Sequence, residues 1–289
     1  MAAPQNVQDA ASLPALRVDG LSKTFGATLA VDDVSFTIQA GSVHALLGEN
    51  GAGKSTIVKL LSGLLAPSRG GIEVFGTPAR LRQPRDAHAH GIQTAFQEMT
   101  LVADLSVLEN LLLPYAPLGR LGMIRRRAAR RQLGAALADL GLEIDLDAEI
   151  GRLDLTQRQK IEIARAVLRA PRILLLDEST SALAGKDVHW LGELIARLRA
   201  QGTTIVFVSH RMREVRDFCD HLSILRNGRH IVSAPVQSLS DADVIERIVG
   251  RSLAQTFPAR PAGAPPRAPV LAVQDLSAGK ARGVSFALR

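Results

Sequence analysis

Nine consecutive residues, Gly48-Glu49-Asn50-Gly51-Ala52-Gly53-Lys54-Ser55-Thr56, have the types and spacing of a glycine-rich phosphate loop. Glycines at 48, 51 and 53 let backbone N–H groups converge on phosphate oxygens with no Cβ in the way. Lys54 adds a point charge for the β and γ phosphates, and the Ser55 hydroxyl is of the kind that ligates Mg²⁺. Asn50 and Thr56 belong to the same cradle. The pattern requires a strand before it and a helix after it. Val43-His44-Ala45-Leu46-Leu47 and Ile57-Val58-Lys59-Leu60-Leu61 supply them. Pattern and context together predict binding of a nucleoside triphosphate.

Asp177-Glu178 ends a short apolar run, Ile173 to Leu176. A carboxylate at such a strand tip can hold Mg²⁺ through water and complete a site begun by Ser55. The neighbouring Glu178 can orient or deprotonate a water aimed at the γ phosphate. His210 follows a second apolar run, Thr203 to Val208, where an imidazole could touch the γ phosphate and sense its loss, or simply cap the strand end. Gln97 could reach Mg²⁺ or the attacking water. Phe25 could stack on a base or be an ordinary hydrophobe.

These residues need an α/β scaffold to bring them together. Leu16 to Leu21 reads as an edge strand, and Val34, Phe36 and Ile38 alternate as a second one. A helix is expected over 55–64, a strand over 70–76 and a short strand over 93–97. Residues 98–158 turn to helical spacing, broken at Pro114, Pro117, Gly119 and Gly141, which predicts a helical insert. The sheet resumes at 172–177, followed by a helix over 187–200 and a buried strand over 203–208. A helix over 211–217, a hairpin at Asn227-Gly228 and a helix over 241–249 close the core. Residues 1–12 read as a disordered lead-in, and 13–252 as one domain. The stretch 253–269 is a proline-stiffened linker, since 258–269 holds five of the 14 prolines. Beyond it, Val273-Gln274-Asp275-Leu276-Ser277 echoes Val18-Asp19-Gly20-Leu21-Ser22, and Val284-Ser285-Phe286-Ala287-Leu288 echoes Val34-Ser35-Phe36-Thr37-Ile38. Residues 270–289 thus read as the start of a second, truncated copy of the domain.

Composition narrows the alternatives. A single cysteine, Cys219, excludes an intrachain disulfide and a cysteine-cluster metal site. No run of 18 apolar residues exists, so no segment reads as a spanning helix. The net charge of +7 is spread out, except for Arg120, Arg125, Arg126, Arg127, Arg130 and Arg131. That cluster suits nucleic acid or an anionic membrane, or is the solvated face of a helix whose core stripe is Leu133, Leu137 and Leu140. Aromatic residues make up 3% of the chain, too few for a base-stacking platform.

The order of phosphate loop, Gln97, Leu153-to-Gln157, Leu174-to-Glu178, Ser181-Ala182-Leu183 and His210 resembles the ATP-binding-cassette ATPases over about residues 16–250. Gln97-Glu98, Leu105-to-Asn110, Glu162-to-Ala166 and Ser179-to-Leu183 look like the ATPase subunits of bacterial monosaccharide importers of the ribose, galactose and xylose type, which carry two fused cassettes. The resemblance implies a P-loop NTPase core, a RecA-like sheet with helices, joined by an antiparallel β subdomain and a helical insert. It implies ATP and Mg²⁺ as ligands. Phe25 matches the adenine-stacking aromatic, Gln97 the lid-loop glutamine, Glu178 the catalytic glutamate and His210 the switch histidine. Two cassettes would close head to tail, each ATP lying between one phosphate loop and the other cassette's signature. Residues 98–115 would lie near the surface that grips a transmembrane permease, on the cytoplasmic face of the bacterial inner membrane, with a periplasmic binding protein selecting the solute.

The signature departs from the family pattern. Leu-Ser-Gly-Gly-Gln becomes Leu153-Asp154-Leu155-Thr156-Gln157, so Asp154 stands where a serine would donate to the γ phosphate and Thr156 where a glycine would allow close approach. A carboxylate facing a triphosphate is repulsive at short range. Ala184 replaces the aspartate that often follows Ser-Ala-Leu. Asp154, Thr156 and Gln157 are therefore expected to present a catalysis-poor half-site to ATP held by another cassette, whether that cassette is a second copy or a separate chain. Import of another small solute, a catalytically weak remnant of a tandem ATPase, and a non-transport cassette acting on ribosomes or DNA are the alternatives.

Overall fold

The structure, a computed structural model, describes residues 13–114, 125–250, 268–279 and 281–288. The lead-in 1–12, Arg120 and the linker through 267 lie outside the described residues. The chain divides into one unit ending at Gly250 and another beginning at Arg251.

The first unit opens with β1 (Leu16–Phe25) and β2 (Thr28–Ile38), followed by β3 (Val43–Leu47) and α1 (Lys54–Leu61). Next come β4 (Arg69–Val74), β5 (Thr77–Pro78), α2 (Pro84–Ala89) and β6 (Ile92–Ala95). A helical stretch holds α3 (Val107–Leu112), α4 (Arg126–Asp139) and α5 (Leu155–Val167). The sheet then returns with β7 (Ile173–Asp177), α6 (Lys186–Ala200), β8 (Thr204–Val208) and α7 (Met212–Phe218). The hairpin β9 (His221–Arg226) and β10 (Arg229–Pro235), then α8 (Asp241–Val249), complete it. This is an α/β fold in which a six-stranded sheet is joined by a four-stranded antiparallel sheet and a helical layer.

The main sheet has the order β10-β9-β3-β8-β7-β6, parallel except for β10. Every residue of β3, β7 and β8 is buried, as expected of strands covered on both faces. Pairing of Leu46 with Val208, and of Asp177 with Val208, brings the carboxyl ends of three strands side by side. The loops that follow those ends carry the candidate chemistry, the usual place for a ligand in an open parallel sheet.

The antiparallel sheet has the order β2-β1-β4-β5, and here the sequence expectation needs correction. β1 is an inner strand. Its free side is taken by β4, from Leu16 opposite Val74 to Asp19 opposite Gly71. Because β4 arrives only after the chain has passed through β3 and α1, nothing local to residues 16–21 announces it. A core formed by Leu16, Val18, Leu21, Val34 and Ile38 packs this sheet with α1 residues Ile57, Leu60 and Leu61. A second core joins the other face of the main sheet to the helical layer and α6.

In the helical layer, α3 begins at a capping box in which Ser106 and Glu109 satisfy one another's backbone N–H. On α4, Leu137 is buried and Leu133 packs against the same core. The arginine face is solvated: Arg126 pairs with Glu109 at 3.2 Å and Arg130 pairs with Asp147, both at the surface.

The second unit contains β11 (Leu271–Ala278) and β12 (Ala281–Leu288), an antiparallel hairpin. It reproduces the first hairpin in detail. Leu271, Val273 and Leu276 face Leu288, Phe286 and Val284, as Leu16, Val18 and Leu21 face Ile38, Phe36 and Val34. The Asp275 N–H donates to the Ser285 hydroxyl at 2.9 Å and the Gly283 N–H to Ser277 at 3.1 Å. The Gly20 N–H donates to Ser35 at 2.8 Å and the Asp33 N–H to Ser22 at 3.1 Å in the same way. Burial differs: Phe36 is 6% exposed and Phe286 47%.

Candidate functional site

The phosphate loop follows from two glycine positions. Gly48 has φ 155°, and a Cβ there would meet the Leu225 carbonyl oxygen at 2.4 Å. Gly53 has φ 99°, and its Cβ would meet the Ala30 carbonyl oxygen at 2.8 Å. Gly51 faces open space instead. Gly53 caps α1 without any side-chain hydrogen bond, and the first turn holds no acidic residue. The amino end of α1 therefore keeps its free N–H groups and partial positive charge for an anion. The Lys54 ammonium is drawn over the loop, donating to the carbonyls of Gly48 at 2.8 Å and Glu49 at 3.0 Å. Burial lowers its pKa, opposed by the charges of Glu178 and Asp177.

A cleft of about 460 Å³ collects Asn50, Gly51, Gly53, Lys54, Ser55, Thr56, Gln97 and Glu178, with Ala30 of β2 on one wall. Asp177 lies 3% exposed at the end of β7, hydrogen-bonded to Ser55. Burial, and then the neighbouring Glu178 charge, push its carboxyl up to about 6. Its Oδ1 is buried without a hydrogen-bond partner. An orphaned carboxylate oxygen beside a serine hydroxyl, with the Gln97 amide on the same cleft, is a hard oxygen donor set that fits Mg²⁺.

Glu178 takes the left-handed conformation, φ 46°, a strained choice for glutamate of the kind that clusters at functional sites. Its N–H donates to the Val208 carbonyl at 3.0 Å, which fixes the turn against the end of β8. His210 Nδ1 lies 4.0 Å from the Glu178 carboxylate, and the imidazole is largely solvent-exposed. Glu214, buried on α7, holds both loops in place. Its Oε2 accepts from Thr180 Oγ1 and Ser209 Oγ, each at 2.8 Å, and its Oε1 accepts from Arg211 at 3.1 Å. The sequence reading missed Glu214, because its partners lie 34 and five positions away and no local pattern marks it.

Phe25 sits at the tip of the β1–β2 hairpin with the Lys23 ammonium 5.3 Å from its ring centroid, and does not line the cleft. The signature residues are not brought into the cleft either. Asp154 is the cap of α5: its Oδ1 accepts from the Gln157 N–H at 2.7 Å, and Gln157 Oε1 accepts from the Asp154 N–H at 3.3 Å. The Thr156 hydroxyl donates to the Ala182 carbonyl at 3.0 Å, binding the start of α5 to the Ser181-Ala182-Leu183 loop. Leu155 beside them is 57% exposed.

A groove of about 330 Å³ runs between the main sheet and the helical layer, lined among others by Leu64, Phe96, Thr100, Leu113, Pro114 and Arg165. No helix among the described residues is long and apolar enough to cross a membrane.

Residues 31–181 match the family model described as ABC transporter. The chain is 41% identical over 278 residues to the ribose import ATP-binding protein RbsA 1 of Rhizobium johnstonii, covering 96% of this chain and 54% of that protein. It is 41% identical over 246 residues to the arabinose import ATP-binding protein AraG 1 of Burkholderia cenocepacia, covering 84% of this chain and 48% of that one. The chain thus spans about half the length of the curated relatives it matches. The crystal structure of a nucleotide-free ATP-binding cassette from an ABC transporter superposes with a TM-score of 0.70 at 26% identity, covering 81% of this chain and 98% of that one. A cassette in its ADP conformation gives 0.68 at 27% identity, covering 82% and 99%.

Proposed function

We propose, from the premise that this chain belongs to the ABC transporter family, that it binds and hydrolyses ATP to drive import of a monosaccharide through a membrane permease. Import relatives named for ribose and arabinose support the substrate class. Working at the cytoplasmic face of the inner membrane with permease subunits, and indirectly with a periplasmic solute-binding protein, follows from the same kinship. The groove beside Thr100 and Leu113 is the surface we assign to the permease.

The observation that carries the reading is the convergence of the uncapped amino end of α1, Lys54, Ser55, Gln97 and Glu178 on one cleft, with the Asp177 carboxylate hydrogen-bonded to Ser55 behind it. In this scheme the loop amides and Lys54 hold the phosphates. Ser55, Asp177 and Gln97 would hold Mg²⁺, which when bound would supply positive charge against the triphosphate. Glu178 orients the attacking water and takes its proton, while His210 meets the γ phosphate from the neighbouring loop. Phe25, on the hairpin tip, is assigned to the adenine by the family resemblance alone.

Asp154, Thr156 and Gln157 serve the opposite composite site, against ATP held by a second cassette. That half-site is poor, because the residues that would meet the phosphate are already engaged and one is an anion. The complete good site needs a signature from another cassette.

Mg²⁺-dependent ATP hydrolysis over a wide range of protein concentrations, beside Lys54→Ala, tests this. A Lys54-dependent rate rising faster than linearly means self-pairing into a working motor. Saturable ATP binding with no turnover means that a different cassette must supply the second half. Absence of Lys54-dependent ATP binding refutes the reading.

A further inference from the structure

Asn227 and Gly228 make the tip of the β9–β10 hairpin, between the paired residues Arg226 and Arg229. Their φ angles are 51° and 78°, as a two-residue type I′ turn requires, which is why this dipeptide suits it. A turn tip ordinarily stands in solvent. Asn227 does, but Gly228 is buried. It is pressed between two walls of the cleft that holds Lys54. A Cβ at Gly228 would lie 2.9 Å from the carbonyl oxygen of Ala30, which lines that cleft. The Gly228 carbonyl accepts from the Asp32 N–H of β2 at 2.8 Å, and the Gly228 N–H donates to the Ala52 carbonyl of the phosphate loop at 3.2 Å. The start of the same loop rests on β9, where Gly48 leaves no room for a side chain beside the Leu225 carbonyl. Gly228 itself does not line the cleft.

A trans peptide holds its C=O and N–H antiparallel. With the Ala52 carbonyl turned to the hairpin tip, the Gly53 N–H is turned away from it. Gly53 lines the cleft, and its N–H has no acceptor among the described residues. The bond from Gly228 thus orients one of the amides that a phosphate oxygen would use. A flipped peptide would present a carbonyl oxygen to the anion instead, and the contact would turn repulsive. The tip is in turn fastened to β2 by Arg229, whose Nε and Nη2 reach the Asp32 carboxylate at 2.7 and 2.6 Å. Both donors converge on one carboxylate oxygen, a charge-assisted contact stronger than a neutral hydrogen bond.

We propose that Gly228 is a positioning residue for nucleotide: its N–H sets the Ala52–Gly53 peptide so that the Gly53 N–H faces the phosphates, and the Asp32–Arg229 pair keeps it there. This role rests on the ATP reading of the cleft and deepens it, by placing a determinant of phosphate affinity outside the cleft, on a hairpin that the phosphate-loop pattern does not include. The effect belongs to the polyphosphate rather than to the base, because the oriented group is an amide of the phosphate loop.

The experiment replaces the Gly228 amide by an ester, through incorporation of glycolic acid at that position in the full chain. The N–H is removed, the turn keeps its shape and no Cβ is added. Equilibrium binding of MgATP, and its competition by inorganic tripolyphosphate, are measured beside thermal unfolding. Loss of the hydrogen bond should weaken both ligands alike, by about fivefold, with the binding stoichiometry unchanged. Arg229→Met keeps the stem and removes both donors. It should weaken both ligands by about threefold, and it decides the matter if the ester chain does not fold. Parental affinity for both ligands, with or without a fall in Tm, overturns the proposal, since the tip would then brace the fold alone. Weakened ATP with parental tripolyphosphate binding overturns it as well, because the defect would lie on the nucleoside side of the cleft. Absence of Lys54-dependent ATP binding by the parent chain overturns the functional reading itself, and the role of Gly228 with it.

Discussion

Two helices of this chain begin at places where a phosphate is expected, and they begin in opposite ways. α1 starts at Gly53, with no side chain on its first N–H groups and no acid in its first turn. α5 starts at Asp154, whose carboxylate already occupies the position an incoming anion would take and is locked there by Gln157. A helix amino end is an anion site only while it is left uncapped. The same backbone feature is thus left open at the start of α1 and closed by a carboxylate at the start of α5.

Four changes break or sharpen that contrast. The largest effect belongs to Lys54→Ala, which should lower ATP affinity and turnover by about 100-fold, the loss of a charge-assisted contact to phosphate. Equilibrium dialysis with labelled ATP reads it, and near-parental binding would deny the open end of α1 its role. Gly53→Ala comes next. It places a Cβ against the Ala30 carbonyl at 2.8 Å and forces alanine to φ 99°, so ATP affinity should fall about tenfold through strain of ~1–3 kcal/mol. Retention of full affinity would show that the loop tolerates a side chain. Removing the negative charge at the other end with Asp154→Ser and Thr156→Gly together should raise ATP-driven dimerisation and hydrolysis about fivefold, seen by light scattering and phosphate release. If neither moves, the carboxylate is not what limits that half-site. The smallest effect is thermal. Asp154→Ala alone removes the cap of α5 and should cost about 1 kcal/mol, a fall in Tm of roughly 2–4 °C by calorimetry. A rise in Tm would mean that the carboxylate is strained rather than useful as a cap.

What could be read from the sequence follows the same division. The phosphate loop, Asp177-Glu178 and His210 were legible because each is a short contiguous pattern whose strand and helix lie next to it. The departure at Asp154 was equally plain, but its local consequence, a reciprocal cap with Gln157, needed the backbone. Glu162 and Thr100, which are hydrogen-bonded, are 62 residues apart, and Thr156 and Ala182 are 26 apart. Pairings at such distances are set by how the helical layer folds back on the sheet, which no window of sequence contains. The inner position of β1 escaped for the same reason, since the partner that removes it from the edge is β4.

The two hairpins keep the same corners with different residues at them. In the first, the left-handed corners are Gly20 at φ 56° and Asp33 at φ 52°. In the second they are Asp275 at φ 51° and Gly283 at φ 63°. Glycine and aspartate have changed places while both corners, and both serines that bind them, stayed put. Aspartate is among the few residues with a side chain that tolerate this region, so either order preserves the turn. The residues at these corners can differ so long as the backbone angle is kept. A position-by-position alignment scores those exchanges as mismatches, whereas the torsion angles show one turn geometry written in two ways.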